Sequence, residues 1–172
     1  MIARAERAFA TVGEALDRCH FRAGIAESME VAREANRYLD AKAPWFQIKQ
    51  DRQAAATSVY VVLRVINCLK TLLYPYLPFS SQALHNMLGY DGDLLGRQYV
   101  DTLAEETRTH TALRYQAPAD AENPEYDSPR GDRWRPDDLP VGQALREPAP
   151  LFKKLDDSLV EEEVERLLGR GK

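Results

Sequence analysis

The sequence predicts an all-α fold: a helical bundle followed by an irregular C-terminal tail that allows one small β-hairpin. Apolar residues recur at helical spacing through the first 90 residues. Proline and glycine interrupt this pattern where helices normally end. Beyond residue 91 the periodicity gives way to stretches rich in Pro, Asp and Gly, which favour loops. We therefore divide the chain into a bundle (1–90), an irregular excursion (91–150), and a C-terminal packing segment with a short acidic helix (151–172).

The first two helices are predicted from about Ile2 to Cys19 and from about Phe21 to Ala43. Their apolar stripes are Ala5, Phe9, Val12, Leu16 and Cys19 in the first, and Ile25, Met29, Ala32, Ala35, Asn36 and Leu39 in the second. Because about one residue separates the two patterns, they form either a tight helical pair or one kinked helix. Pro44 ends the second helix, since proline lacks a backbone N–H and disfavours helical backbone at Ala43.

The third helix is predicted to begin after Asp51 as its N-cap and to run to about Tyr74. It is apolar on most faces, which predicts a central position with neighbours on several sides. Arg64, Asn67 and Lys70 interrupt its apolar run. A membrane-spanning segment would tolerate these residues poorly, so the pattern favours a core helix and no membrane partner.

A short fourth helix is predicted to start at Ser80 or Ser81 as its cap and to run through Leu88. Gly89 follows in the usual C-terminal position. In the tail, partial alternation predicts a hairpin of short strands around residues 106–110. Residues 118–140 are typical of an irregular excursion or mobile loop. A last short helix is predicted from Ser158, as its cap, to Leu168, with Gly169 ending it.

The net charge of −4 hides an uneven distribution of charge along the chain. Residues 1–90 contain 11 Lys/Arg and 8 Asp/Glu, which gives +3; residues 91–172 contain 12 and 19, which gives −7. The simplest interpretation is that these charged residues lie on the solvated surface. A mildly basic helical half nevertheless leaves nucleic acid open as a partner, because binding depends on a local patch more than on net charge.

The two cysteines, Cys19 and Cys68, each lie within an apolar helical pattern and far apart in sequence. Buried, reduced thiols are expected, as in a reducing compartment, and a disulfide framework is not. The N-terminal residues carry charges throughout and do not form a signal peptide. The sequence therefore predicts a cytoplasmic protein.

The residues offer no catalytic constellation. The sequence contains no Gly-rich phosphate loop, no Walker pattern and no Cys-x-x-Cys pair. Asp17 and His20 have the three-residue spacing of a helical metal site, but such sites need further inward carboxylates, so a hydrogen-bonded histidine is the simpler interpretation. Cys68 has no histidine near it in sequence. We expect no metal, no cofactor and no catalytic residue in this chain.

A candidate recognition site lies where the second helix ends. Asn36 and Asp40 are four residues apart and project from one side of a helix. Trp45 follows Pro44 just beyond the helix end, where its ring could lie beside them. An amide, a carboxylate and an exposed ring suit an unstacked base, because the ring stacks on it while the polar groups read its edge. The alternative is a Pro-Trp turn that folds back onto the core as a plug.

Three motifs give the chain a resemblance to a known family. The stretches are MEVAREANRYLDAKAPWFQIKQD, then TLLYPYLPFSSQALHNMLG, then PAPLFKKLDD near the end. Together they resemble the C-terminal half of bacterial methionyl-tRNA synthetase, a class I aminoacyl-tRNA synthetase. The resemblance covers essentially the whole chain. Its most specific part is the Ala-Asn-x-Tyr segment with the Pro-Trp that follows it.

The resemblance implies an all-α anticodon-binding domain that recognises the CAU anticodon of methionine tRNA. It implies that Trp45, fixed by Pro44, contacts the anticodon, and that Asn36 and Asp40 support or discriminate it. By their charge, Arg37 and Lys42 are candidate phosphate contacts. In the closing motif, Leu151 and Phe152 would be packing anchors toward the catalytic domain of the same enzyme.

The chain also departs from the family. Neither the His-Ile-Gly-His-like nor the Lys-Met-Ser-Lys-Ser-like signature occurs in it. The parent enzyme would use ATP and Mg to attach methionine to tRNA, whereas this chain is expected to be inactive alone. The resemblance also implies an upstream helix that completes the recognition surface. The alternative function is a helical protein-interaction module that docks through the acidic tail; removing residues 158–172 would abolish partner binding under that hypothesis alone.

Overall fold

A computed structural model describes residues 1–95, 97–116, 134–152 and 157–169. Six helices and two strands lie within these ranges. They are α1 (Ile2–Asp17), α2 (Phe21–Lys42), α3 (Pro44–Gln47), α4 (Arg52–Leu72), α5 (Pro78–Met87), β1 (Arg97–Ala104), β2 (Thr109–Gln116) and α6 (Asp157–Leu167). The predicted all-α bundle with one small hairpin is confirmed. The division of the chain at residues 90 and 150 stays a prediction.

The core lies where α1, α2 and α4 meet. Val12, Val31, Val65 and Leu72 are completely buried there. Helix α4 packs against α1, α2, α3 and α5, which confirms its predicted central position. It is the one helix of the described ranges with the length and apolarity to cross a membrane, but half of that stretch is buried inside the bundle, as expected of a core helix.

The turn between α1 and α2 corrects one prediction. Helix α1 ends at Asp17, and Cys19 takes a left-handed conformation with φ 58°. The N–H of Cys19 donates to Leu16 O at 2.9 Å, and that of His20 to Ala15 O at 2.7 Å. Cys19 is therefore exposed rather than buried, because the turn carries its side chain away from the helical stripe. Cys68 is buried as predicted.

Helix α5 starts earlier than predicted. Its first residue is Pro78, which suits the first turn because proline has no N–H to leave unpaired. Ser81 is consequently inside the helix and 1% exposed, so neither serine is the cap. The glycine stop is confirmed, since Gly89 has φ 88° just after the helix.

The predicted hairpin is confirmed and is longer than expected. Strands β1 and β2 pair antiparallel over eight residues each, from Arg97 opposite Gln116 to Ala104 opposite Thr109. The N–H of Glu105 donates to Arg108 O at 2.8 Å across the turn. The predicted loop at 118–140 lies outside the described residues except for 134–140. The predicted last helix is present as α6, but it starts at Asp157, so Ser158 lies inside the helix and is not its cap.

Residues 134–149 form a segment, here called the strap, that lies across the bundle. Three bundle side chains donate to three consecutive carbonyls of the strap at 2.8–2.9 Å. These pairs are Asn67 with Asp137, Tyr90 with Asp138, and Tyr60 with Leu139. Because main-chain acceptors are satisfied in this way, an irregular segment can rest on a buried surface.

Two ion pairs, one buried side chain and one half-buried side chain add to the attachment of the strap. Lys70 Nζ, on a completely buried side chain, lies 3.5 Å from Asp137 Oδ2, and Arg64 lies 2.7 Å from Asp138. Leu139 is buried at 3% exposure. Trp134 packs edge-on against Phe9 and donates its indole N–H to Phe9 O at 2.9 Å.

Candidate nucleic-acid interface

The last turns of α2 present two polar side chains to solvent. Asn36 and Asp40 are both exposed, and their four-residue spacing places them on one face of the helix. No hydrogen bond joins either side chain to another of the described residues. Their amide and carboxylate groups are therefore free to bond an incoming ligand.

A single left-handed residue joins α2 to α3. Ala43 has φ 43° and ψ 58°, and its N–H donates to Leu39 O at 2.8 Å to close α2. The carbonyl of the same residue accepts from Phe46 and Gln47 at 2.9 and 3.1 Å, which begins α3. The chain thus changes direction within one residue, and Trp45 lies one turn beyond Asp40. As expected, Pro44 keeps Ala43 out of the right-handed helical region.

Helix α3 has an inner and an outer face. Pro44 is buried at its first position, and Gln47, three residues on, accepts a 3.2 Å hydrogen bond from Ser58 of α4. The outer face carries three large apolar side chains: Trp45 (49% exposed), Phe46 (65%) and Ile48 just beyond the helix (57%). Trp45 is thus half-exposed on an ordered turn, which a plug on the core would not be.

The two cations proposed from sequence have different surroundings. Arg37 lies 2.8 Å from Glu30 of the same helix, and Arg33 lies equally close to that carboxylate. Hydrogen bonds from Arg37, and then from Arg33, lower the pKa of Glu30. Lys42 has no acidic partner among the described residues, and its Nζ lies 5.9 Å from the centre of the Tyr38 ring. Lys42 is therefore the more available of the two candidate phosphate contacts, whereas Arg37 would have to leave Glu30.

Sequence reasoning missed three exposed residues at this end of the bundle. Lys49 and Arg52 follow α3 directly, are exposed, and form no ion pair within the described part of the chain. Phe46 extends the apolar surface beside Trp45. The sequence contained the signal, because PWFQIKQDR places two aromatic rings and two cations directly after a proline that ends a helix.

The arrangement suits stacking and edge recognition. It combines a half-exposed indole, a free amide, a free carboxylate and unpaired cations on the last turns of α2, on α3 and on the residues that follow α3. None of these groups forms a nucleophile and base pair. Within the described ranges, no three His, Cys, Asp or Glu side chains lie together as a metal site would require. The surface is therefore equipped to bind and discriminate a ligand.

Residues 1–118 match the sequence family described as the anticodon-binding domain of methionyl-tRNA ligase. The chain belongs to this family. Among curated proteins, a methionine–tRNA ligase of Thermomicrobium roseum is 46% identical over 164 residues, and one of Chloroflexus aurantiacus is 44% identical over 162 residues. These matches cover 95% and 94% of this chain. The chain spans only 26% and 25% of the length of those two relatives.

Proposed function

We propose that this chain is the anticodon-binding part of a methionine–tRNA ligase and that it recognises the CAU anticodon of methionine tRNA. The observation that carries the proposal is the half-exposed Trp45 on the turn that follows the helix bearing the exposed Asn36 and Asp40, in a chain of this family. Attachment of methionine with ATP and Mg would take place elsewhere in the enzyme. This chain would select the tRNA and would not catalyse the ligation by itself.

Trp45 supplies the stacking face in this proposal. Pro44 anchors the turn in the bundle, so the indole is held in place before the RNA arrives, and little conformational entropy is lost on binding. Stacking of a base on an aromatic ring contributes about 1–3 kcal/mol. It does not depend strongly on which base stacks, so discrimination has to come from neighbouring polar groups.

Asp40 and Asn36 supply the discrimination. A carboxylate only accepts hydrogen bonds, so Asp40 pairs with a base that carries an exocyclic amino group. Cytosine and adenine have this group and uracil lacks it, which favours C over U at the contacted position. The Asn36 amide both donates and accepts, so it can bond the neighbouring ring nitrogen or carbonyl. Lys42, Lys49 and Arg52 bind the phosphates and position the loop.

The test is binding of an RNA hairpin with a CAU loop, compared with the same hairpin carrying UAU, at low salt. Low salt is chosen because added salt weakens phosphate contacts. We expect tighter binding of CAU, and we expect Trp45→Ala to weaken it by about tenfold while the circular dichroism of the helices is unchanged.

A matched control uses an exposed aromatic residue far from α3. Phe79 is 91% exposed on α5, which follows the far end of α4. Phe79→Ala should bind both hairpins as the unmodified chain does. Equal affinity of the unmodified chain for CAU and UAU, or unaltered affinity of Trp45→Ala for the CAU hairpin, would contradict the proposal.

A further inference from the structure

A second aromatic ring lies in solvent directly beside Trp45. Phe46 is 65% exposed, more than Trp45 itself. Its backbone is nevertheless ordered, because its N–H donates to Ala43 O at 2.9 Å. A phenylalanine ring left in water forgoes about 1.5–3 kcal/mol of burial. An exposed ring on a fixed turn is therefore a feature that requires a reason.

The exposure of Phe46 follows from how α3 is attached to the bundle. Pro44 and Gln47 are three residues apart and lie on one face of the turn. Both face the bundle, the first by burial and the second through its hydrogen bond with Ser58. The two residues between them are consequently held outward. Phe46 cannot turn inward unless α3 is released.

The two rings are inclined to each other. Their centres are 6.3 Å apart and their planes meet at 64°, an edge-to-face arrangement. A single flat base can stack on only one of two faces at this angle. The pair therefore offers two separate stacking faces. Such a surface fits two neighbouring bases that are splayed apart, as bases in single-stranded RNA loops are when proteins read them.

We propose that Phe46 is a second stacking platform, which takes the base next to the one that stacks on Trp45. Recognition would then depend on two consecutive nucleotides held at an angle. The inference rests on the proposed function, because it names a second contact with the same RNA. Lys49 and Arg52 follow Phe46 in the chain and would hold the phosphate of the second nucleotide.

The experiment combines protein variants with hairpins in which one loop nucleotide at a time lacks its base. Phe46→Ala should weaken binding of the intact CAU hairpin by about tenfold. The loss should shrink to less than about twofold on one abasic hairpin, because the partner of Phe46 is already missing there. Trp45→Ala should likewise cause little further loss of binding on the hairpin that lacks the adjacent base, because that base is the partner of Trp45. Phe46→Tyr keeps the ring and should bind like the unmodified chain.

Phe79→Ala again controls for the loss of an exposed ring. If Phe46→Ala binds the intact loop normally, or loses the same factor on every abasic hairpin, Phe46 is not a stacking platform. The proposed function still stands in that case, provided that the unmodified chain prefers CAU and that Trp45→Ala weakens its binding. If the unmodified chain does not prefer CAU, the proposed function and this inference both fail.

Discussion

The two cysteines lie in opposite environments, which sets the chemistry of each thiol. Cys19 is exposed in the turn between α1 and α2, whereas Cys68 is completely buried in α4. Burial, and then the nearby negative charge of Glu6, raise the pKa of Cys68 to about 11. Because the thiolate is the reactive form, Cys68 is protected from modification both by its burial and by its protonation.

We predict that one thiol per chain reacts with a disulfide reagent in the native protein at about pH 8, and two in denaturant. Cys19→Ser should remove the reaction seen in the native protein and leave the reaction of Cys68, which requires denaturant. The reaction can be followed by absorbance. Rapid modification of native Cys19→Ser would show that Cys68 is accessible.

His85 is a buried histidine that stacks on Tyr90, with ring centres 4.9 Å apart. Burial and then the positive charge of Lys70 lower its pKa below 6.5. Between that lowered pKa and 6.5 the unfolded chain binds more protons than the folded chain. The contribution of His85 to stability is therefore complete above pH 6.5 and is lost as the pH falls below it.

We predict that this acid-induced loss is smaller in His85→Phe, which keeps an aromatic ring against Tyr90 and cannot titrate. Urea unfolding at several pH values between about 5 and 8 measures it. His20→Gln, at an exposed histidine, controls for removing an imidazole. Identical pH dependence in His85→Phe and the unmodified chain would exclude His85 as the source.

At the scale of elements, the junction of α2 and α3 determines where the candidate site faces. The left-handed backbone of Ala43 ends one helix and begins the next, and Pro44 then anchors the short turn. Left-handed backbone costs a residue with a Cβ about 1–2 kcal/mol. The junction is strained at one residue, and the hydrogen bonds of both helices hold it in that conformation.

We predict that Ala43→Gly stabilises the protein by about 0.5–1 kcal/mol, because glycine adopts this conformation without the Cβ penalty. The gain is below the full penalty since glycine also makes the unfolded chain more flexible. Ala41→Gly, two residues earlier in the last turn of α2, should destabilise the protein by a similar amount. Free energies of unfolding in urea measure both; a loss of stability in Ala43→Gly would contradict the conformation found at the junction.

At the scale of the whole molecule, the strap is held by contacts between residues far apart in sequence. Its acidic side chains meet Arg64 and Lys70 of α4, and its carbonyls accept from the bundle. Lys70 is completely buried, with its Nζ 3.5 Å from Asp137 and 3.8 Å from the centre of the Tyr90 ring. Burial lowers the pKa of Lys70, and Asp137 opposes this by stabilising the ammonium.

We predict that Asp137→Asn destabilises the protein by about 2 kcal/mol, because it leaves the buried ammonium without a counter-ion. The effect is smaller than for a fully buried pair, since Asp137 is itself half-exposed. Adding Lys70→Met should restore most of the stability, because an apolar chain of similar length fills the site. Urea unfolding of the single and double variants measures the coupling.

Asp138→Asn is the matched control for this cycle. Arg64 keeps a second partner, Glu6, at 3.3 Å, so removing the Asp138 charge should cost less than removing that of Asp137. A double variant no more stable than Asp137→Asn would mean that Lys70 is not destabilised by the loss of its counter-ion.

Much of the fold could be predicted because its causes are local. Helical periodicity, the Asp51 cap and the Pro44 and Gly89 stops are contained within a few neighbouring residues each, and the structure has these helices, this cap and these stops. The predicted stripe of α2 is wrong in part, because the residues buried there are Gly24, Ser28, Val31 and Ala35, whereas Met29 and Asn36 are exposed. Asp51 accepts from the N–H of Ala54 at 2.9 Å, as an N-cap should. The start of α5 was missed because a proline at its first position outweighed the serine signal.

The sequence by itself determined that the chain is a helical bundle and that Trp45 follows the end of the helix that carries Asn36 and Asp40. Only the tertiary structure decided that Phe46 faces solvent with it, that Arg37 pairs with Glu30, and that the strap covers Lys70. The reason is physical: periodicity records which face of an element is apolar. Which polar group meets which depends on how the elements pack, and the strap reaches partners up to 125 residues away.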